Sequence, residues 1–472
     1  MNPFLLFAIL AFPSAAEKAA PEGASPWWRQ LDDVLLTRAV ETALRENHDL
    51  VATRARLDAL QASTWQALSP TLPTLSFDVS GNLSPYNSLG FQFGGLSAFG
   101  ASTSTQPVPL AAQLQQMAQT EPPLVFGTGS ALLGARVQLD PGRSWSAFTA
   151  QEREADASDA DGDAQSLALA LQVARTYHEL VGTRAQVQLL ERQVLLNREV
   201  LSMIDARFDA GEAQGLDVLQ QRQNLAAVET LLPSTVAQAQ VLAQQLAILA
   251  GSPPNAQVEV RDHLPLELKA PSAPELETLL AQRPDVQAAA ERVGAAEARL
   301  RAAWLAFLPS LGVSAQAGQQ ANWIREPNAQ FVWGVGANLS VPLFGGGQRI
   351  SQLRQASSQA AAAAASLRQV KLRVAQGIAG AQARFDGAAA QREAARTQRV
   401  AANLALDVAR ERYAAGLANY QAVQIALNTS LQSELTVLAS ERQVIDATLV
   451  LYDAISGPWA ASILDVYEGN AP

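Results

Sequence analysis

The chain has 472 residues, 34 of them basic and 44 acidic, for a net charge of −10, and it contains no cysteine. The charge argues against a nucleic-acid binder or a polybasic membrane-surface protein. The missing thiols exclude disulfides, thiolate metal sites, cysteine nucleophiles and an acylated N-terminal cysteine. Hydrophobic residues make up 48% but aromatic ones only 6%. Much of the apolar content is alanine and leucine, which favours long helices.

Residues 1–16 are predicted to be a secretory signal. Phe4 to Phe12 is an apolar run too short to span a bilayer, and Pro13-Ser14-Ala15-Ala16 supplies small residues for cleavage. Residues 17–282 form a first structural repeat. Its strands are expected at about 73–84 and 130–140, because Leu75, Phe77 and Val79 alternate with Ser76, Asp78 and Ser80. In the second strand Ala131, Leu133, Ala135 and Val137 alternate with Gly134, Arg136 and Gln138. A long loop lies within Ser84–Gly129, with Leu110–Gln119 read as a short helix. Helices follow at about 143–210 and 215–250. Val173, Leu180, Val187, Val194, Leu201 and Phe208 form a heptad seam in the first. Pro233 is expected to kink or interrupt the second.

Residues 283–472 form a second repeat. Strands are expected at about 309–320 and 331–343, where Val313, Val335 and Leu339 alternate with Ser314, Gly336 and Asn338. Helices are expected at about 347–415 and 418–455. In the first of these, Leu353, Ala360, Leu367, Val374, Ala381, Ala388, Ala395, Ala402 and Ala409 recur every seven residues. Some 70 residues make a helix of about 105 Å, several times the ~30 Å hydrocarbon thickness.

The two halves are a duplication. Asn47-His48-Asp49-Leu50 aligns with Arg283-Pro284-Asp285-Val286, and Leu72-Pro73-Thr74-Leu75 with Leu308-Pro309-Ser310-Leu311. Arg207-Phe208-Asp209-Ala210-Gly211 aligns with Arg412-Tyr413-Ala414-Ala415-Gly416. Four alternating strands cannot close a membrane barrel, which needs at least eight, and lipid does not tolerate open edges. If the strands are in a membrane, copies must associate; two, three or four of them would supply eight, twelve or sixteen strands. Composition does not choose among these.

The ordered set of short strings resembles the TolC-like outer-membrane efflux proteins, in the branch that includes OprM and the NodT-type factors. Its marks include Trp27-Trp28, Arg283-Pro284-Asp285-Val286, Val341-Pro342-Leu343-Phe344-Gly345-Gly346-Gly347, Arg412-Tyr413-x-x-Gly416-x-x-Asn419-Tyr420 and Gly457-Pro458-Trp459. The resemblance implies an α+β membrane protein: a homotrimer whose twelve-stranded barrel continues into a long α-helical periplasmic tunnel. It also implies a periplasmic adaptor and an inner-membrane pump of RND or ABC type as partners, with outer-membrane lipid around the barrel. The candidate gate residues are then Gly211, Asp217, Tyr413, Gly416, Asn419 and Tyr420 at the hairpin tips. Asp78, Arg136, Ser314 and Asn338 become candidates for the barrel lumen. Ala418, Ala422 and Ile425 stand where the TolC gate arginine and acidic ring would fall, and the first tip instead carries Asp205, Asp209, Glu212 and Asp217.

No glycine-rich phosphate loop follows a strand, and His48, His178 and His263 are far apart, so neither an enzyme, a metal site nor a cofactor is expected. A structural coiled-coil envelope protein or adhesin would share the signal and the helices. It would have no use for four alternating strands placed symmetrically in a duplication. The expected function is a passive outer-membrane exit duct for efflux or type I secretion, gated at its helical tips. Only three methionines and three histidines argue against a dedicated copper path.

Overall fold

The computed structural model describes residues 26–85, 125–140, 142–265, 271, 275–323 and 327–455. The signal at 1–16, the loop helix at 110–119 and the Gly-Pro-Trp string at 457–459 lie outside the described residues. The chain divides into two compact units: one formed by 1–60, 154–293 and 362–472, the other by 61–153 and 294–361.

Helices α1 (Val34–Glu46) and α2 (His48–Leu68) lead into strands β1 (Thr74–Pro85) and β2 (Val125–Leu139). Helices α3 (Arg143–Asp209) and α4 (Gly215–Leu249) follow, then short α5 (Leu276–Gln282) and α6 (Pro284–Leu305). Strands β3 (Ser310–Trp323) and β4 (Pro327–Ser340) precede α7 (Gln348–Ala414) and α8 (Tyr420–Ala454). The duplication is visible in lengths: α3 and α7 each have 67 residues, α4 and α8 each 35.

The four strands form one antiparallel sheet in the order β1-β2-β3-β4. The ladder extends beyond the expected strand limits. Leu83 pairs with Gly127 and Pro85 with Val125, so main-chain pairing continues past the alternating side chains. Strand β4 ends at Ser340, not near 343, because Pro342 lacks an N–H and constrains Val341 before it. The register puts Leu75, Phe77, Val79, Leu133, Ala135, Ala315, Ala317, Trp333 and Val335 on one face. The opposite face carries Asp78, Arg136, Ser314, Gln316, Gly336 and Asn338, with Leu132 and Val332 as apolar exceptions. Asp140 starts α3 by accepting from the Ser144 N–H at 3.0 Å and its hydroxyl at 2.8 Å.

The helical unit has its main core around Trp27, Trp28, Leu36, Leu44, Val173, Tyr177, Leu180, Leu246 and Leu449. The Trp27 ring stacks on Tyr452 at 6.0 Å. The paired strings of the duplication have a common role there. Asn47 Nδ2 donates to the Leu249 carbonyl at the end of α4 (3.0 Å). Arg283 Nη1 donates to the Asp453 and Ala454 carbonyls at the end of α8 (3.2 and 2.8 Å). Each satisfies last-turn oxygens that a helix leaves unpaired.

In α7 the alanine seam is buried at Ala381, Ala388, Ala395 and Ala402. The α3 seam departs from its heptads: Val173, Leu180 and Val194 are buried, Val187 and Leu201 half-buried, and Phe208 is 47% exposed. Toward the tip the buried line is Leu190, Asn197 and Ile204, again spaced by seven, so the packed face passes to a second seam of the same repeat. Helix α4 runs through Pro233 without interruption. No helix among the described residues is long and apolar enough to cross a membrane.

Candidate functional site: the helical tips

The α3–α4 and α7–α8 connections are built alike. After α3, Gly211 adopts φ 76°, its N–H bonding the Phe208 carbonyl at 2.9 Å while the Glu212 N–H reaches Arg207 at 2.8 Å. After α7, Gly416 adopts φ 72°, with Gly416 N–H to Tyr413 at 3.0 Å and Leu417 N–H to Arg412 at 2.8 Å. This double closure ends a helix in the left-handed conformation that glycine adopts without penalty. The next helices are capped differently. The Asp217 carboxylate accepts from the Gln214 N–H at 3.3 Å, whereas the Asn419 side chain accepts from the Ala422 N–H at 3.2 Å.

An apolar cluster of Val200, Ile204, Val218, Leu406, Val423 and Leu427 surrounds Tyr413 and Tyr420, whose rings meet edge to face at 6.3 Å. Tyr420 is embedded in a buried polar chain. Its hydroxyl donates to Gln221 Oε1 at 2.7 Å and accepts from Asn224 Nδ2 at 3.2 Å. Gln221 Nε2 donates in turn to the Asn197 carbonyl and Oδ1 at 2.9 and 3.1 Å. Burial pushes the Tyr420 hydroxyl up to about 12, with the Asn224 hydrogen bond acting in the opposite direction.

Arg207 joins the two tips. It donates to the Tyr413 carbonyl, lies 4.8 Å from the Tyr413 ring centroid and pairs with Glu212 at 3.6 Å. The Tyr413 hydroxyl is buried without a partner among the described residues. Its pKa is raised, first by burial and then by the Asp217 charge, while Arg207 acts to lower it. Asp217 and Tyr413 do not hydrogen-bond to each other within the chain; Asp217 is engaged by its helix cap. The acidic first tip is partly neutralised, because Asp205 faces Arg222 at 3.8 Å and Glu212 faces Arg207.

Thus Gly211, Asp217, Tyr413, Gly416, Asn419 and Tyr420 all belong to the two tips, and Tyr413 and Tyr420 share one cluster. Asp78, Arg136, Ser314 and Asn338 lie in the sheet, on one face, where Arg136 and Ser314 are direct cross-strand partners. Arg207, Asn197, Gln221 and Asn224 were not singled out from the sequence. Arg207 stood in the duplicated string. Gln221 and Asn197 gave no local signal, since their partners are remote in sequence. Among the described residues no group of side chains could hold a metal ion.

Residues 39–252 and 276–457 match the family model described as outer membrane efflux protein. The pyoverdine export outer membrane protein OpmQ of Pseudomonas putida is 25% identical over 94% of this chain and 91% of its own length. Outer membrane protein OprJ of Pseudomonas aeruginosa is 26% identical over 92% of this chain and 86% of its own length. The solved outer-membrane channel OprN has the same fold, with a TM-score of 0.79 and 23% identity over 94% of this chain and 95% of that one. With both halves of the duplication inside the matched residues, the chain belongs to the outer membrane efflux protein family.

Proposed function

We propose that three copies of this chain form a passive exit duct across the outer membrane and periplasm, closed at rest by the helical tips. The observation that carries this reading is the sheet. Strands β1 and β4 have no partner on their outer edges among the described residues. One face exposes Leu75, Phe77, Val79, Trp333 and Val335, each at least 69% accessible in the single chain. An exposed apolar face together with open edges suits a sheet that closes with copies of itself in lipid. Three copies supply twelve strands. The opposite face, with Asp78, Arg136, Ser314 and Asn338, then lines the lumen.

The duct performs no chemistry of its own. A periplasmic adaptor and an inner-membrane pump of RND or ABC type supply the energy and the substrate, as expected for an efflux or type I secretion exit. At rest the tips must narrow. With alanine at 418 and 422, closure relies on the packing around Val423 and on Asp217 and Tyr413. The Tyr413 hydroxyl is buried and has no partner among the described residues, so it joins the latch only where packing in the trimer turns it toward a neighbouring protomer. One such bond contributes about 0.5–3 kcal/mol, and the trimer repeats it three times. Single-channel recording in planar bilayers tests this. Asp217→Ala combined with Tyr413→Phe is expected to raise conductance above wild type; unchanged conductance would place the latch elsewhere.

A further inference from the structure

We propose that the barrel lumen carries two separate charged rings of opposite sign, Arg136 next to the helices and Asp78 farther along the strands, and that together they favour solutes bearing both an anionic and a cationic group. The inference rests on the three-copy barrel proposed above and adds a substrate class to it. The observation that carries it is a scarcity of charge. Strands β1 to β4 contain one acidic and one basic side chain, Asp78 and Arg136. Both belong to the polar face of the sheet, and both are exposed. Asp78 accepts from the Ser76 hydroxyl at 2.7 Å. Neither charge has an ion-pair partner among the described residues.

The register keeps the two charges apart. Arg136 stands opposite Thr74 on β1 and Ser314 on β3, near the strand ends that lead to α2 and α3. Asp78 lies four residues beyond Thr74 on β1, in a row with Leu132, Gly318 and Val332. Four residues of strand span about 13 Å, or about 10 Å along the axis of a barrel whose strands tilt by ~35–45°. That exceeds the Debye length of about 8 Å at physiological ionic strength, so the charges act as two zones and do not cancel as a close ion pair would. The next row beyond Asp78 is polar but uncharged: Ser80, Ser130, Gln320 and Gln330. Three copies place three guanidiniums at one level and three carboxylates at the other. A solute of one sign is attracted at one ring and repelled at the other. A solute with opposite charges about 10 Å apart is attracted at both at once.

Reversal potentials of the full-length protein in planar bilayers, under a potassium chloride gradient near ~0.1 M where screening extends over about 10 Å, test the rings. Arg136→Gln is expected to raise the potassium-to-chloride permeability ratio and Asp78→Asn to lower it. Each shift should be about twofold, the effect of three unit charges roughly 10 Å from the ion path. Arg136→Lys keeps the charge and should match wild type. The probe for the substrate class is 6-aminohexanoate, added on the barrel side. It is expected to reduce the current at about twofold lower concentration than hexanoate or hexylammonium, because it engages the second ring as well. Asp78→Asn should remove its advantage over hexanoate, and Arg136→Gln its advantage over hexylammonium. Unchanged reversal potentials, or shifts in the same direction, in channels whose native mass shows three chains overturn the proposal, as does equal potency of the three solutes. If glutamine at 136 prevents assembly, the Asp78→Asn result alone decides it. Failure of the wild-type protein to assemble as three chains defeats the barrel reading itself, and this proposal with it.

Discussion

Arg207 and Tyr413, the first near the end of α3 and the second near the end of α7, are joined by a hydrogen bond to the Tyr413 carbonyl and by a guanidinium 4.8 Å from its ring. A charge-assisted bond contributes about 1.5–3 kcal/mol, and a partly exposed cation–π contact about 0.5–1 kcal/mol. Arg207→Ala is expected to lower the thermal midpoint and raise the resting current in planar bilayers. Arg207→Lys should not restore wild-type behaviour, because an ammonium lacks the planar fork that serves both contacts.

Replacing either tip glycine isolates the cost of its backbone conformation. Gly211 at φ 76° has open space where a Cβ would stand, and Gly416 at φ 72° would bring one to ordinary contact distance from Arg207. Gly211→Ala and Gly416→Ala should each cost about 1–2 kcal/mol from left-handed strain alone. Asparagine at the same sites should be tolerated better than alanine. Urea or thermal unfolding of the detergent-solubilised protein measures both.

His178 makes the fold sensitive to acid. It is 5% exposed, neither ring nitrogen has a partner among the described residues, and it packs edge to face on Tyr177. Burial pushes its pKa down to about 4, with Asp33 raising it and Arg261 lowering it. The unfolded chain, with an ordinary histidine near 6.5, therefore binds a proton that the folded chain does not. The stability from this group is present above pH ~6.5 and is lost as pH falls from there to about 4, a difference on the order of 3 kcal/mol. His178→Leu should flatten that part of the midpoint-versus-pH curve without lowering stability at pH 7, since no hydrogen bond is removed. A wild-type curve flat between pH 7 and 4 would count against it.

The two faces of the sheet should respond differently to charge. Val335 lies on the apolar face and Asn338 on the polar one. Arginine at a lipid-facing midplane position costs roughly 2–4 kcal/mol. Val335→Arg is expected to reduce assembled protein in outer-membrane fractions far more than Asn338→Arg. Equal yields of the two would reverse the assignment of faces.

Much of this fold was legible because repetition reports it twice. The strings around Asn47 and Arg283 pair in sequence and cap α4 and α8 in the same way. The tips were legible because glycine is the residue that ends a helix in the left-handed conformation without penalty, and Gly211 and Gly416 stand at matching places in the duplicated strings. Contacts such as Gln221 with Tyr420, and Arg207 with Tyr413, were not. Periodicity describes one helix at a time and does not say which remote helix will supply a partner. Phe208 marks the same limit: the seven-residue count places it on the seam, yet near the tip the buried line is Asn197 and Ile204, which leaves Phe208 exposed. Ser84–Gly129 reads as one loop from composition, but main-chain pairing carries β1 to Pro85 and brings β2 back to Val125.

On the proposed assembly, one chain supplies a third of a closed barrel. The most direct measurement is the native mass of the protein extracted in detergent from outer membranes. One chain has a mass of 50.0 kDa before any processing. A single species containing three chains, stable until denatured, is expected; a monomer, or an assembly of two or four chains, would rule out the twelve-stranded barrel.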